Sequence, residues 1–388
     1  TGSTNYMFVG RNTGGNGTYN LTSTTPATGN LTGFGQGSGN MTVSAGRLYV
    51  GGFAGAATGL CNVNTTGVLA VGNDLAIGTA GGTGVMNIDS GTVNTSGWNF
   101  FGKNESGTGG KGTLNMAGGT FFNTGRQYVG TPTCEGWFNL TGGSYTCNDN
   151  LMVGGTTDDG DFLGTNGTGT GHIVVAGSGT SLTVGGEFTL GNRGGTADMT
   201  FSAGTIESKS WTQVGRNGGH GTLTMTGGTW NKTNGGDFVV GDFNNATGTF
   251  TMSGGTLTNN NTFRVSSGGT GVVNVSGTAA ITTNNELWVG QAGNGTLNLS
   301  GGSITVGNWI AVGRGGGTGT VTMTGGSWTK NASDSNFIIG SSGTGTFNMS
   351  GGSVSVADSG PVDSGVTWVG ETNNCTGTLS LSGGAQFT

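Results

Sequence analysis

The sequence predicts an all-β fold: a single-stranded, right-handed parallel β-helix (β-solenoid) of about 15 coils, with about 25 residues and three short strands per coil. Three observations predict it. A short apolar strand ending in glycine recurs along the 388 residues, a strand of the type Gly-Thr-Leu-Thr-Met follows it, and a Gly-Gly pair then leads into a third strand. Such coils bury their apolar columns by stacking on one another.

The first strand of each coil is marked by an aliphatic residue followed by glycine, and these glycines mostly recur every 23 to 28 residues. Side chains alternate between the two faces of a strand. The residue before the glycine and the residue two positions earlier are therefore expected to point inward. These positions are Val129, Val153, Leu190, Val214, Val240, Val265, Val289, Val312, Ile339 and Val369, and Phe188, Phe238, Phe263, Leu287, Ile310 and Phe337.

The second and third strands show the same alternation of apolar residues with Thr, Ser and Asn. Glycines between the strands suit the corners, because glycine adopts positive φ angles without steric cost. The expected inward positions are Leu223 with Met225, Phe250 with Met252, Leu297 with Leu299, and Phe347 with Met349 in the second strand, and Phe121, Tyr145, Trp230, Leu257, Ile304, Trp328 and Val354 in the third.

The composition excludes several other classes of protein. The chain has 90 Gly and 8% charged residues, where ordinary domains have about 7% Gly and about 25% charged residues. Three Pro and no three-residue period exclude collagen, and the regular apolar spacing argues against disorder. We expect residues 1–388 to form one continuous solenoid domain, with the longest coil and its insertion at 154–191.

Repeats such as VGQAGNGTLNLSGGSITVGNWIAVG, residues 289–313, carry a resemblance to a known group of proteins. They resemble the repeats of secreted bacterial right-handed parallel β-helix proteins, including autotransporter-passenger-like and surface-fibre solenoids. The resemblance covers nearly the whole chain and implies an extracellular or cell-surface location. It implies no single activity, because this architecture hosts fibres, adhesins and polysaccharide-degrading enzymes alike.

The two ends of the sequence enter and leave the repeat pattern without an evident cap. Uncapped strand edges tend to pair with another chain. We therefore expect copies of the chain to assemble head to tail, and the alternatives are a fragment of a longer solenoid and caps of an unrecognised type. The expected assembly ends are Tyr6, Phe8 and Val9 on one side and Leu379, Leu381 and Phe387 on the other.

Acidic residues, histidines and one arginine are the candidates for a metal site and for a catalytic site. Asp158, Asp159 and Asp161 in the long insertion are candidate Ca²⁺ ligands, although their spacing is not that of an EF-hand and a solvated acidic loop is the alternative. No other cofactor is expected. We expect no enzymatic activity, because the elements a polysaccharide-degrading enzyme would need are scattered: His172, His220, Asp198, Glu187 and Arg193.

The cysteines and the Asn-X-Ser/Thr sequons are candidate modification sites. Candidate disulfide partners are Cys134 with Cys147 in one coil, and Cys375 across a subunit junction. Free thiols are the alternative. The candidate glycosylation sites fall on an outward column of the second strand: Asn139, Asn298 and Asn348.

Outward side chains suggest two further interactions. Tyr128, Trp288 and Trp368 are expected on the outer surface, where they could pack laterally or stack on sugars. Outward threonines are also compatible with ice binding, a function that needs a flat, regular two-row array of side chains. We expect the variation in coil length to prevent such an array.

Charge excludes some partners. The net charge is −6, and the 12 Lys and Arg are scattered singly, so neither nucleic-acid binding nor a polybasic membrane patch is expected. No apolar run is long enough to span a membrane. We expect an extracellular structural protein that forms a filament or surface appendage. The alternatives are the stalk or passenger of a carbohydrate-binding adhesin and a polysaccharide-degrading enzyme.

Overall fold

A computed structural model describes residues 6–23, 41–43, 46–105, 107–155, 168–357 and 365–388. The chain divides into two compact units, residues 1–199 and 200–388. The described residues form 42 β-strands and no helix. The candidate Ca²⁺ ligands Asp158, Asp159 and Asp161 lie outside the described residues.

The strands of the first unit form three parallel sheets, A, B and C, and each coil contributes one strand to each sheet in that order. Sheet A contains β1 (Tyr6–Val9), β4 (Arg47–Val50), β7 (Leu75–Thr79), β10 (Asn99–Lys103), β13 (Gln127–Val129), β16 (Leu151–Val153) and β19 (Phe188–Asn192). Sheet B contains β2 (Asn16–Ser23), β5 (Thr58–Thr65), β8 (Thr83–Ile88), β11 (Lys111–Met116), β14 (Glu135–Leu140) and β17 (Thr170–Val175). Sheet C contains β3 (Met41–Val43), β6 (Val68–Val71), β9 (Thr92–Thr95), β12 (Thr120–Asn123), β15 (Ser144–Cys147) and β18 (Ser181–Val184).

The second unit repeats this arrangement, and β20 (Thr196–Phe201) of sheet B contains the residues at which the units divide. Sheet A contains β22 (Thr212–Arg216), β25 (Phe238–Asp242), β28 (Phe263–Ser267), β31 (Leu287–Gln291), β34 (Ile310–Arg314), β37 (Phe337–Ser341) and β40 (Thr367–Val369). Sheet B contains β23 (His220–Met225), β26 (Thr247–Met252), β29 (Thr270–Val275), β32 (Asn294–Leu299), β35 (Thr318–Met323), β38 (Thr344–Met349) and β41 (Thr376–Leu381). Sheet C contains β21 (Thr205–Ser208), β24 (Thr229–Lys232), β27 (Thr256–Asn259), β30 (Ala280–Thr283), β33 (Ser303–Val306), β36 (Ser327–Lys330), β39 (Ser353–Val356) and β42 (Gln386–Phe387).

The predicted fold class is confirmed: each unit is a parallel β-solenoid of the right-handed type with three strands per coil. At three strands each, the 42 described strands make fourteen coils, slightly fewer than the number expected. The prediction that residues 1–388 form one continuous domain stays a prediction.

The inward columns are also confirmed. Every aliphatic or aromatic residue expected to point inward is buried except Val369, which is 49% exposed in the last coil. Large rings pack against one another inside the coils: the rings of Trp328, Phe337 and Phe347 lie 5.6 to 5.8 Å apart, measured between centroids, and the Phe337–Phe347 pair is edge-on. Burial of these columns drives the stacking of one coil on the next.

Glycine at the corner after the first strand is required by close packing. Gly215 has φ of +75°, and a Cβ there would lie 2.1 Å from the carbonyl oxygen of Thr247 in the next coil. Ser266, after Val265 in β28, is an exception to the predicted glycine corner. It also has φ of +75°, and its hydroxyl donates to the carbonyl of Gly269 at 2.8 Å.

The sequence did not predict that the fourth residue of the sheet C strands is buried. Lys232 is fully buried there, and its Nζ donates to the carbonyls of Asn234 and Gly235 at 2.5 and 3.0 Å. Burial lowers the pKa of Lys232 to about 8. Lys330 is equally buried and donates to the carbonyl of Ala332. These two lysines therefore hold the longer turns that join sheet C to sheet A.

Candidate functional surfaces

The outer face of sheet A in the first unit is covered rather than exposed. Tyr128, expected on the outer surface, is fully buried, and its ring stacks on Phe100 at 5.2 Å. Trp98 packs against the same cluster. Tyr128 is therefore removed from the surface residues that could contact a sugar, because it belongs to a second apolar cluster on the face opposite to Val129.

The outer face of sheet A in the second unit carries an alternating stack of indoles and guanidinium groups, which we call the Trp288 stack. Its residues are Trp211, Arg264, Trp288 and Arg314. The Arg264 and Arg314 guanidinium carbons lie 4.5 and 4.3 Å from the Trp288 ring centroid, and Arg264 also lies 5.9 Å from Trp211. Cations over an indole face are attracted by its quadrupole. The two guanidinium groups already pack on the Trp288 ring, so a sugar has little of this indole left to stack on.

The outer face of sheet B in the first unit carries a chain of interacting side chains, which we call the Trp137 cluster. It consists of Lys111, Glu135, Trp137, His172 and Asp198. Lys111 Nζ and Trp137 Nε1 both donate to Glu135 Oε1, at 2.8 and 2.5 Å. The ring of His172 stacks on Trp137 at 3.9 Å, and its Nδ1 lies 2.5 Å from Asp198 Oδ1.

Strand register explains why residues so far apart in sequence meet in the Trp137 cluster. Glu135 begins β14, and Trp137 pairs with His172 on β17. The hydrogen bonds from Lys111 and Trp137 lower the pKa of Glu135, because they favour the ionised carboxylate. The arrangement thus offers a half-buried indole flanked by fixed carboxylates, which can contact a polyhydroxylated ligand.

The other residues considered for catalysis lie elsewhere. Glu187 lies just before β19 of sheet A, where its backbone N–H donates to Asn150. Arg193 lies in the turn after β19, with φ of +50°. His220 begins β23 in the second unit, and its Nδ1 lies 2.6 Å from the hydroxyl of Thr247. The structure brings His172 and Asp198 together in the Trp137 cluster.

The outer face of sheet B in the second unit differs from that of the first, and we call its two leading rows the threonine array. Eleven of the fourteen positions are threonine, and no acidic residue, lysine or arginine occurs among them. The first row is His220, Thr247, Thr270, Asn294, Thr318, Thr344 and Thr376, and the second is Thr222, Thr249, Val272, Thr296, Thr320, Thr346 and Thr378.

The candidate glycosylation sites lie in or beside ladders of asparagine amides. Asn139 Nδ2 donates to Asn115 Oδ1 at 2.8 Å, and Asn298 Nδ2 donates to Asn274 Oδ1 at 2.9 Å. Asn348 is exposed on β38. An amide nitrogen that donates along a ladder must leave it to be modified, so among these three sites Asn348 is the most accessible acceptor.

The four cysteines are free thiols in the structure. The local bridge between Cys134 and Cys147 is therefore not formed, and each of these buried thiols has separate partners: Cys134 contacts the carbonyl of Pro132, and Cys147 that of Asp149. Burial raises the pKa of Cys147 and of Cys61 to about 12. Cys375 is only partly buried, and a bridge from it to another chain stays a prediction.

The residues expected at the assembly ends lie on the outermost described strands. Tyr6 is 41% exposed, whereas Val9 is buried and Phe8 stacks on Tyr49 at 5.5 Å. At the other end Leu381 is 50% exposed. Leu379 is partly buried, and Phe387 packs edge-on against Phe337 at 5.5 Å.

Comparison with protein-family models, with curated proteins and with solved structures finds no match for this chain. The fold itself therefore defines the class, that of a parallel β-solenoid repeat protein. Within the described ranges, no group of three His, Cys, Asp or Glu side chains is placed to hold a metal ion. No helix of the described part is long and apolar enough to cross a membrane.

Proposed function

We propose that this chain is an extracellular structural protein, the subunit of a filament or surface appendage in which β-solenoid coils stack head to tail. The extracellular location rests on the resemblance of its repeats to those of secreted bacterial solenoids. The filament rests on the coil itself, which repeats the same backbone register from strand to strand within each unit.

The observation that carries this proposal is the uncovered apolar surface of the last described coil. Leu381 pairs with Met349, and Val369 pairs with Ile339. Met349 and Ile339 are buried by the coil that follows them, whereas Leu381 and Val369 are about half exposed. A further coil would cover both side chains and pair the free strand edge. A second copy of the chain can supply that coil, and unlike ends that meet in this way form an open filament.

Negative-stain electron microscopy over a dilution series tests the proposal. We expect filaments whose length falls on dilution, and we expect Leu381→Asp to shorten or abolish them, because a charge would be buried at the junction. Thr346→Asp, which adds the same charge to an outward position of β38, is the matched control and should leave filaments intact. Single particles of uniform size at every concentration would rule out head-to-tail assembly.

A second candidate function, carbohydrate binding by the stalk or passenger of an adhesin, is supported by the Trp137 cluster. Aromatic faces pack against the apolar side of sugar rings while neighbouring carboxylates accept hydrogen bonds from hydroxyls. Screening of the purified chain against extracellular glycans tests this candidate. Trp137→Ala should remove binding, and Trp288→Ala, which disrupts a ring already held between two arginines, should not. Equal binding by the two variants would exclude the Trp137 cluster as the site.

A further inference from the structure

The threonine array is a regular two-dimensional lattice of side chains. The seven strands that carry it have six residues each, and they pair in one unbroken parallel register from β23 to β41. Neighbouring strands in a sheet lie about 4.8 Å apart, and residues two apart along a strand lie about 7 Å apart. Hydroxyl and methyl groups therefore repeat with fixed spacing along both directions of the face.

The expectation that variable coil length would prevent such an array was wrong. Asn294 and Thr318 are 24 residues apart, whereas Thr344 and Thr376 are 32 apart, yet both steps pair all six residues of sheet B in the same register. The additional residues lie outside the sheet B strands. Length variation is absorbed in the rest of the coil, so the face of sheet B remains regular.

The chemistry of the array suits a neutral, ordered ligand. Threonine is β-branched and restricted at χ1, so its hydroxyl and methyl groups are held in place at little further entropic cost. Among the described residues, the only array threonine whose hydroxyl has a hydrogen-bond partner in the protein is Thr247, which contacts His220. The remaining hydroxyls are left to hydrogen-bond water, and no charged side chain within the rows imposes its own hydration shell.

We propose that the threonine array is an ice-binding face whose ligand is crystalline water. Hexagonal ice presents water oxygens that repeat in two directions with spacings close to those of a parallel sheet. Hydroxyls in such a lattice can order water into the same pattern, while the methyl groups between them hold it in place. Many weak contacts made at once then add up to adsorption, although one threonine alone would bind nothing.

Two other occupants fit the array less well. A crystalline polysaccharide would be expected to contact aromatic rings, and the two rows contain none besides the imidazole of His220. A second copy of the chain, packed side by side, would gain little from a face whose apolar content is mainly threonine methyls. The array is part of one chain, so this proposal does not depend on head-to-tail assembly.

Ice-crystal morphology and thermal hysteresis of the purified full chain test the proposal, with ice itself as the probe. We expect faceted crystals, a measurable gap between melting and freezing points, and slowed recrystallisation. Thr320→Lys, near the middle of the second row, should abolish all three effects, because a long charged side chain would hold the neighbouring threonines away from the ice. Val272→Thr completes the second row and should widen the hysteresis gap.

Thr113→Lys is the matched control, because Thr113 is also partly buried at the same row position of sheet B, but in the first unit. It should retain wild-type ice activity. Thr296→Lys repeats the central test if Thr320→Lys lowers the melting temperature of the protein. The proposal is overturned if the wild-type chain leaves ice growth unchanged, or if folded lysine variants of the array act like wild type. Retention on insoluble cellulose or chitin without any effect on ice would assign the face to a polysaccharide instead.

Discussion

The outer face of sheet B carries different side chains in the two units, although the backbone beneath it is the same. In the first unit it holds the Trp137 cluster, in which charged and aromatic groups contact one another from strand to strand. In the second unit the equivalent rows hold the threonine array. The inward residues of sheet B are mainly apolar in both units and are buried except in the first and last described coils. Inward positions thus determine the stability of the coils, whereas outward positions can vary without changing the backbone.

Both outer faces depend on the register in which the strands of sheet B pair. Lys111 meets Glu135, and Trp137 meets His172, only because β11, β14 and β17 pair without a shift. The threonine rows are straight for the same reason. A change that disturbs the inward packing should therefore damage either face, whereas a change on one outer face should leave the other intact.

The largest expected effect on stability comes from replacing the glycine that is the first inward-facing residue of a sheet B strand. In the second unit, a Cβ at Gly319 would lie 2.1 Å from the carbonyl oxygen of Val289 and 2.5 Å from the backbone nitrogen of Gly313. Backbone cannot yield as a flexible side chain can, so we expect Gly319→Ala to lower the free energy of unfolding by about 3 kcal/mol or more. Urea denaturation followed by circular dichroism measures this loss.

Gly316→Ala is the control for that measurement. Gly316 lies in the turn before β35 with φ of +79°, and a Cβ there would meet no atom within 4 Å. Only the left-handed backbone conformation opposes alanine, so the expected loss is about 1 kcal/mol. Equal losses from the two alanine variants would show that coil stacking is looser than the structure indicates.

A smaller effect distinguishes the two histidines of sheet B. His172 stacks on Trp137 and pairs with Asp198, whereas His220 contacts a single threonine hydroxyl. We expect His172→Ala to lower the free energy of unfolding by about 1 kcal/mol. His220→Thr should change it by less than about 0.5 kcal/mol, because an exposed strand position accepts threonine well.

Thermal unfolding of the two histidine variants beside the wild type provides the measurement. His220→Thr also extends the first threonine row, so ice-growth assays of the same sample should show activity equal to or above that of the wild type. A larger loss of stability in His220→Thr than in His172→Ala would contradict the distinction between the two faces.

Much of the fold could be predicted because the repeat period and the two-residue alternation are both visible in the linear sequence. Spacing alone predicts that Val240 and Phe250 lie in the core, and both are fully buried. The burial of Tyr128 could not be predicted in this way. Alternation places its ring on the outer side of sheet A, and its burial depends on groups such as Phe100 and Trp98 that cover this side.

The candidate surfaces could be predicted only in part, because they depend on register across coils of unequal length. Trp137, His172 and Asp198 are 35 and 26 residues apart, and the insertion between β16 and β17 hides their common row. A small residue precedes each of the three. Aligning these small residues in one column would have placed Trp137, His172 and Asp198 in a common row; the small residues are Gly136, Gly171 and Ala197. Lys232 was missed for another reason: a charged residue at the end of a short strand suggests solvent, and only the structure shows the turn carbonyls that hold it.

The smallest effect tests the electrostatics of the Trp137 cluster. The pKa of Glu135 is lowered mainly by the hydrogen bond from Lys111, so the stabilising contacts of its carboxylate are present above the ordinary glutamate pKa of about 4.3. These contacts are lost as the pH falls through the lowered value. Lys111→Met should move this loss to higher pH.

The pH midpoint of Trp137 fluorescence measures the shift. The signal of Trp137 is isolated by subtracting the fluorescence of the Trp137→Phe variant from that of the protein that retains Trp137. Lys209→Met, which breaks the Lys209–Glu207 pair of the second unit, should leave the midpoint unchanged. An unmoved midpoint in Lys111→Met would show that Trp137, rather than the lysine, holds Glu135 ionised.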